Sequence, residues 1–198
     1  MSTLLGETHT RYQYGIGWAQ GQVAFAPIEF AGYFGLLPPF SFHANLENSI
    51  TVPQQAYLNV SSAQNPALQY EAAGILGLGF DSLSHIGAAV NQTSGRPLLY
   101  NLFNDNPSEP NFIAFSLQST TDGDGVQGSL SVGETDPSYA NVTSTNKIPT
   151  WPVTAPQRWN VLLDSFIVGT KTIAVSSTVP AAPPNKAVVL IDSGTSYT

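Results

Sequence analysis

An aspartate at the end of an apolar run is the feature of this sequence most suited to chemistry. Residues 188–196 read Val-Val-Leu-Ile-Asp-Ser-Gly-Thr-Ser, and the aliphatic residues predict a buried strand that delivers Asp192 to a tight turn. Gly194 permits close backbone approach, and the hydroxyl groups of Ser193 and Thr195 can hydrogen-bond and orient the carboxylate. An oriented carboxylate is what general acid–base catalysis requires. An ordinary strand ending in an Asp-Ser-Gly turn would explain the same residues equally well.

Other chemistries have weaker support in the sequence. Cysteine is absent, so thiolate zinc sites and cysteine nucleophiles are excluded. His9, His43 and His85 have no metal-ligand spacing. Asp122-Gly-Asp124 resembles the start of a calcium loop but lacks the downstream glutamate, so a plain turn is preferred. Gly15-Ile-Gly17 is too short for a dinucleotide site, and a Gly-x-Ser-x-Gly elbow is missing. We expect no cofactor and no metal.

The charge balance also narrows the function. The chain has 198 residues, with 13 Asp and Glu against 6 Lys and Arg, for a formal net charge of −7. A basic surface for nucleic acid or for a membrane is therefore not expected. No apolar run is long enough to span a membrane. The acidity indicates either simple solubility or adaptation to acid, since few side chains stay charged once the carboxylates are protonated.

The pattern of the chain predicts mainly strands. Two aromatic arms at 12–18 and 22–34 predict a hairpin, and 40–50 predicts another strand. Further strands are predicted at 73–80, 111–118, 128–133, 148–153, 160–168 and 188–192. Residues 51–70 and the proline-rich stretch 179–185 are predicted to be loops.

Two short helices are predicted between these strands. Asp81 would cap a helix over 82–90, because its carboxylate can accept from exposed N–H groups of the first turn. Pro97 suits the first position of a helix over 98–103. The expected fold class is all-β with short helices.

Five further segments give the Asp192 loop a context: Tyr14-Gly-Ile-Gly-Trp-Ala-Gln-Gly, Ala73-Gly-Ile-Leu-Gly-Leu-Gly-Phe, Gly128-Ser-Leu-Ser-Val-Gly-Glu-Thr-Asp-Pro-Ser-Tyr, Trp151-Pro-Val-Thr and Arg158-Trp-Asn-Val-Leu-Leu-Asp-Ser-Phe. Each is weak alone. Together and in this order, from about residue 12 to 198, they resemble the pepsin-like aspartic proteases (peptidase A1).

The resemblance implies a role for several residues. Asp192 looks like the catalytic aspartate of the second lobe, Ser193 like the support of the active-site loop, and Gly194 and Thr195 like residues that line the substrate backbone. At the other end of the chain, Tyr14 looks like the flap tyrosine, Gly15 and Ile16 like the flap tip, and Ile75 like an apolar wall of the substrate pocket.

The resemblance further implies a partial bilobal fold. Residues 1–140 would be the later part of the N-terminal lobe, and 141–198 the interlobe strands and the start of the C-terminal lobe. Only Asp192 heads an Asp-Ser/Thr-Gly triplet, and few residues precede Tyr14. We therefore expect an incomplete chain without the first catalytic aspartate, inactive or nearly so.

As a function, the resemblance implies an aspartic endopeptidase in which two aspartates activate a water against a peptide or protein substrate. A non-catalytic peptide-binding pseudoprotease is the alternative, and a dimer joining two Asp192 loops is a further one. The full-length parent would be a monomer, secreted or vacuolar. Asn59, Asn91 and Asn141 begin glycosylation sequons.

Overall fold

A computed structural model of the protein describes residues 3–13, 17–30, 40–43, 50–64, 73–108, 110–117, 128–133, 135, 142 and 147–194. These residues are mainly strands with a few short helices, which confirms the all-β fold class. Two compact units divide the chain. The first unit comprises 1–78 and 84–145, and the second unit comprises 79–83 and 146–198. The lobe assignment itself stays a prediction.

A three-stranded antiparallel sheet dominates the first unit, in the order β1-β2-β4. Its strands are β1 (Thr3–Gln13), β2 (Trp18–Phe30) and β4 (Ile50–Gln64). Gln13 pairs with Trp18 at the end of the β1–β2 ladder, so a hairpin forms here as predicted. Its predicted bounds are wrong, because residues 18–21, which the prediction placed at the end of the first arm and in the connection, belong to β2.

The prediction of a loop at 51–70 is wrong over the residues that form β4. The prolines of this segment explain the error, and the register of the sheet shows how the strand accommodates them. The β2–β4 register shifts between Ala26, which pairs with Gln55, and Ile28, which pairs with Val52. Pro27 and Pro53 therefore both fall at this irregularity, where a missing N–H donor removes no regular ladder bond.

Two short helices pack near this sheet: α1 (His85–Val90) and α2 (Leu98–Asp105). Both helix predictions are confirmed, but the predicted cap of α1 is wrong. Ser84 is the N-cap, and its hydroxyl accepts from the Gly87 N–H at 2.9 Å. Asp81 instead begins a separate 3-10 turn, Asp81–Leu83. Pro97 occupies the N-cap position of α2 instead of its first helical position.

The first unit contains two apolar clusters. Leu98 and Leu102 of α2 pack with Val52 of β4 and with Val132. Val132 belongs to a second small sheet with strands β3 (Phe40–His43), β5 (Ile113–Ser116) and β6 (Gly128–Val132), in which β6 pairs parallel to β3 and antiparallel to β5. The other cluster joins Val23, Ala56 and Val90. The helices thus bury their apolar sides against strands.

A buried polar network lies beside these clusters. The Gln55 amide group donates to the carbonyl oxygens of Ala56 at 3.0 Å, Arg96 at 2.9 Å and Ser94 at 3.3 Å. The Gln55 Oε1 atom accepts from Asn101 Nδ2 at 2.9 Å. Gln55 therefore joins β4 to the segment that leads into α2, and its polar groups are satisfied in the interior.

Replacing Gln55 with alanine is expected to lower the free energy of unfolding by about 1–3 kcal/mol, because buried carbonyl groups lose their donor. The neighbouring and exposed Gln54 is the matched control, and Gln54→Ala should change stability by less than about 0.5 kcal/mol. Urea unfolding of the two variants measures the difference. Equal midpoints would show that the network contributes nothing.

The second unit contains two two-stranded antiparallel pairs. One joins β7 (Asn160–Leu163) with β10 (Ala187–Leu190), and the other joins β8 (Ser165–Val168) with β9 (Lys171–Ala174). The predicted strand at 160–168 is divided at Asp164, and β9 was not predicted. The predicted strand at 148–153 is wrong, since Pro149 and Pro152 lack the N–H that a ladder needs and 151–155 form bends.

The predicted loop at 179–185 lacks strands and contains two turns, as expected from its prolines. Neither α-helix in the described part of the chain is long and apolar enough to cross a membrane.

Candidate active site

The Asp192 loop begins where β10 ends. Ala187 to Leu190 form the strand, and Ile191, Asp192, Ser193 and Gly194 follow it as an exposed turn. The β-branched and aliphatic residues favour the strand, and Ser-Gly ends it. The Gly194 N–H donates to Asp192 Oδ1 at 2.9 Å. The turn thus orients its own carboxylate through a backbone N–H, a donor that the sequence analysis did not predict.

Strand β7 supports this loop from the side. Leu190 pairs with Asn160, and the Ile191 N–H donates to the Trp159 carbonyl at 2.9 Å. The Asn160 carbonyl in turn accepts from the Trp151 N–H at 2.8 Å. Backbone hydrogen bonding therefore continues to the residue directly before Asp192.

The carboxylate of Asp192 lies on the surface of the second unit, where it is accessible to water and to a ligand. Ser193 is exposed beside it. Thr195 falls outside the described residues. The geometry is that of an oriented, exposed carboxylate, which can accept a proton from, or donate one to, a group held against it.

The predicted flap residues Tyr14, Gly15 and Ile16 fall outside the described residues, but the strands on either side of them are placed. The Arg11 guanidinium lies 4.0 Å from the centre of the Trp18 ring, and Trp18 Nε1 donates to Gln64 Oε1 at 3.1 Å. These contacts join β1, β2 and β4 at the end of the hairpin from which residues 14–16 continue.

Ile75 lies in the first unit, and 56% of its surface is exposed. Its side chain is available to a ligand, and its role as a pocket wall stays a prediction. The strand predicted at 73–80 is wrong, since none of these residues is in a strand. A Cβ atom added at Gly74, Gly77 or Gly79 would meet no other atom within 4 Å, so no close approach of described atoms requires glycine at these positions.

Within one unit, then, the structure brings together Asp192, Ser193 and Gly194. It adds Trp159, which the sequence analysis named only as part of the segment that begins at Arg158, with no role at the site. Its contribution to the Asp192 loop is a backbone carbonyl, so the residue type carries no direct signal for it. The one available signal was its position immediately before the predicted strand at 160–168.

The asparagines of two glycosylation sequons are exposed. Asn59 is exposed on β4, and Asn91 is exposed at the C-cap of α1 with a φ angle of 50°. Asn141 falls outside the described residues. His9 lies in β1, His43 in β3 and His85 in α1. The described part of the chain holds no group of three or more metal-ligating side chains. The segment 122–124 is outside that part.

The family of eukaryotic aspartyl proteases matches residues 45–198, which include Ile75 and the whole Asp192 loop and exclude Tyr14, Gly15 and Ile16. A search of curated proteins gives no significant match. The matched residues form more than half of the chain, and their strands and short helices agree with a pepsin-like fold. The chain belongs to the eukaryotic aspartyl protease family.

Proposed function

We propose that the protein is an aspartic-type endopeptidase in which Asp192 supplies one of the two catalytic carboxylates. The oriented carboxylate at the Asp-Ser-Gly turn carries this proposal, together with membership of the aspartyl protease family. The substrate is a peptide or protein, and no cofactor takes part because water is the nucleophile.

The chemistry requires two carboxylates that share one proton. The ionised carboxylate takes a proton from a bound water, and that water attacks the peptide carbonyl. The protonated carboxylate then donates to the developing oxyanion. One group cannot serve as base and acid in the same step, so Asp192 needs a partner.

This sequence has a single Asp-Ser-Gly triplet, and Asp81 and Asp164 are followed by Ser without the glycine. The chain by itself is therefore proposed to hydrolyse peptides very slowly or not at all. The same observation favours a second candidate, a pseudoprotease that binds peptides without cleaving them. Tyr14, Gly15, Ile16, Ile75, Gly194 and Thr195 would contact the peptide in either case, with Ser193 supporting the loop.

Acid-active hydrolysis suits a secreted or vacuolar protein, which is where we place it. The exposed positions of Asn59 and Asn91 are compatible with glycosylation there, and Asn141 is proposed by its sequon alone. A monomeric state is part of the same proposal.

The test compares the purified chain with Asp192→Asn, and with Asp164→Asn as a matched control. Asp164 is also followed by serine and is exposed, in an ion pair with Lys186. A quenched fluorescent peptide at roughly pH 3 to 5 reports hydrolysis. A peptide with a tetrahedral alcohol in place of the scissile carbonyl reports transition-state binding.

We expect negligible hydrolysis by all three chains. The analogue should bind the parent chain and Asp164→Asn, and bind Asp192→Asn at least about tenfold more weakly. Hydrolysis lost only in Asp192→Asn would mean that a second carboxylate is supplied, for instance by a dimer. Hydrolysis that survives in Asp192→Asn, or absence of both hydrolysis and binding, would contradict the proposed role of Asp192.

A further inference from the structure

The backbone at Asp192 depends on a contact that no catalytic pattern predicts. In the described part of the chain, strands β7 and β10 form a two-stranded pair of four residues each, and pairs of this size are marginal in water on their own. Beyond the ladder, the loop is held by the hydrogen bond from the Ile191 N–H to the Trp159 carbonyl. Whatever fixes Trp159 therefore also fixes the start of the Asp192 loop.

The ring of Trp159 packs against Phe80. The two ring centres are 4.5 Å apart at an angle of 40°, within the range that aromatic pairs prefer. Trp159 remains 41% exposed, so this pairing is not simply a consequence of full burial. Trp159 therefore makes two contacts: its side chain packs against Phe80, and its backbone carbonyl accepts from the Ile191 N–H.

Phe80 is itself held in place within the second unit. It precedes the 3-10 turn Asp81–Leu83, in which the Leu83 N–H donates to the Phe80 carbonyl at 3.0 Å. The Ser82 hydroxyl also lies 3.5 Å from the Pro156 carbonyl, at the outer limit of a hydrogen bond. Residues 79–83 belong to the second unit although the chain on both sides of them belongs to the first.

We propose that Phe80 and Trp159 are positioning residues for the catalytic Asp192 loop. The ring pair fixes the Trp159 backbone, the Trp159 carbonyl fixes Ile191, and Ile191 sets the direction in which Asp192 leaves the strand. The inference depends on the proposed function only in treating Asp192 as the catalytic carboxylate.

Amide hydrogen exchange, followed by NMR on the full 198-residue chain, tests this proposal without any need for catalysis. In Phe80→Leu and Trp159→Ala, the Ile191 amide should exchange about tenfold faster than in the parent, the change expected for losing a strong aromatic pair. The Gly194 amide resonance should also shift, because it reports its hydrogen bond to Asp192 Oδ1. Trp159→Phe keeps a ring at this position and should restore both signals.

Phe166→Leu is the matched control for Phe80→Leu, since Phe166 lies in β8 of the same unit and is 55% exposed. It should leave the Ile191 and Gly194 amides unchanged. Phe80→Leu retains apolar volume, so it keeps the test valid if Trp159→Ala does not fold.

Two results would overturn the proposal. One is an unchanged Ile191 amide in Phe80→Leu. The other is equal acceleration of all amides of β7 and β10, which would mean that the ring pair only stabilises the sheet. A failed proposed function is distinguishable from both, because the exchange result would then be as expected while Asp192→Asn leaves analogue binding unchanged.

Discussion

Gly21→Ala is expected to disrupt the central sheet of the first unit. A Cβ atom at this position would lie 2.0 Å from the Asn59 carbonyl oxygen and 2.9 Å from the Val60 Cα. Both are backbone atoms of the neighbouring strand, so no side chain can rotate away. Because β2 and β4 must separate or shift, we expect a loss of about 3 kcal/mol or more in the free energy of unfolding.

Gly74→Ala is the control for this substitution. Gly74 lies in the same unit, and a Cβ atom there meets no other atom within 4 Å. It should alter the free energy of unfolding by less than about 0.5 kcal/mol. Urea unfolding followed by circular dichroism compares the two. A Gly21→Ala protein with the parent midpoint would show that the two strands are further apart than described.

Leu102→Ala is expected to have a similarly large effect through the core. Leu102 is completely buried, and it packs with Val52, Leu98 and Val132. Truncation removes apolar burial and leaves a cavity between α2 and the two sheets of the first unit. Losses of this kind are about 2–5 kcal/mol, a large part of the total stability of a small domain.

Leu117→Ala is the control for Leu102→Ala, because it makes the same substitution at an exposed position. Leu117 follows β5 and is 65% exposed, so its truncation creates no cavity. Thermal unfolding should show a markedly lower midpoint for Leu102→Ala and almost none of that shift for Leu117→Ala. Equal shifts in the two variants would contradict the position of Leu102 in the core.

Local pattern was enough to predict much of the fold. The aromatic arms predicted the β1–β2 hairpin, and the apolar run before Asp192 predicted β10, because both signals lie within neighbouring residues. β4 was missed because Pro53 and Pro66 indicate loops. Its strand pairs with β2, and Pro53 falls at an irregularity that also contains Pro27 of that partner strand. Such compensation is not visible in either segment alone.

In the candidate site, too, local sequence signals predicted some features, whereas contacts between residues distant in sequence were missed. The apolar run and the Asp-Ser-Gly triplet predicted where Asp192 lies, but they did not predict the Gly194 N–H as a donor to its carboxylate. Trp159 contributes a carbonyl to the Asp192 loop and a ring to Phe80, and both partners are distant in sequence. The N-cap of α1 fell to Ser84 instead of Asp81 because Asp81 forms its own turn. Propensity alone does not choose between two nearby capping residues.

The parallel pairing of β3 with β6 has a consequence for the order in which the chain folds. Phe40 pairs with Gly128, and the residues between them supply β4, both helices and β5. Closing so large a loop costs conformational entropy, and this cost precedes the stabilisation that the strand pairing provides. We therefore expect the local hairpin of β1 and β2 to form early and β3 and β6 to pair late, so that this topology slows folding.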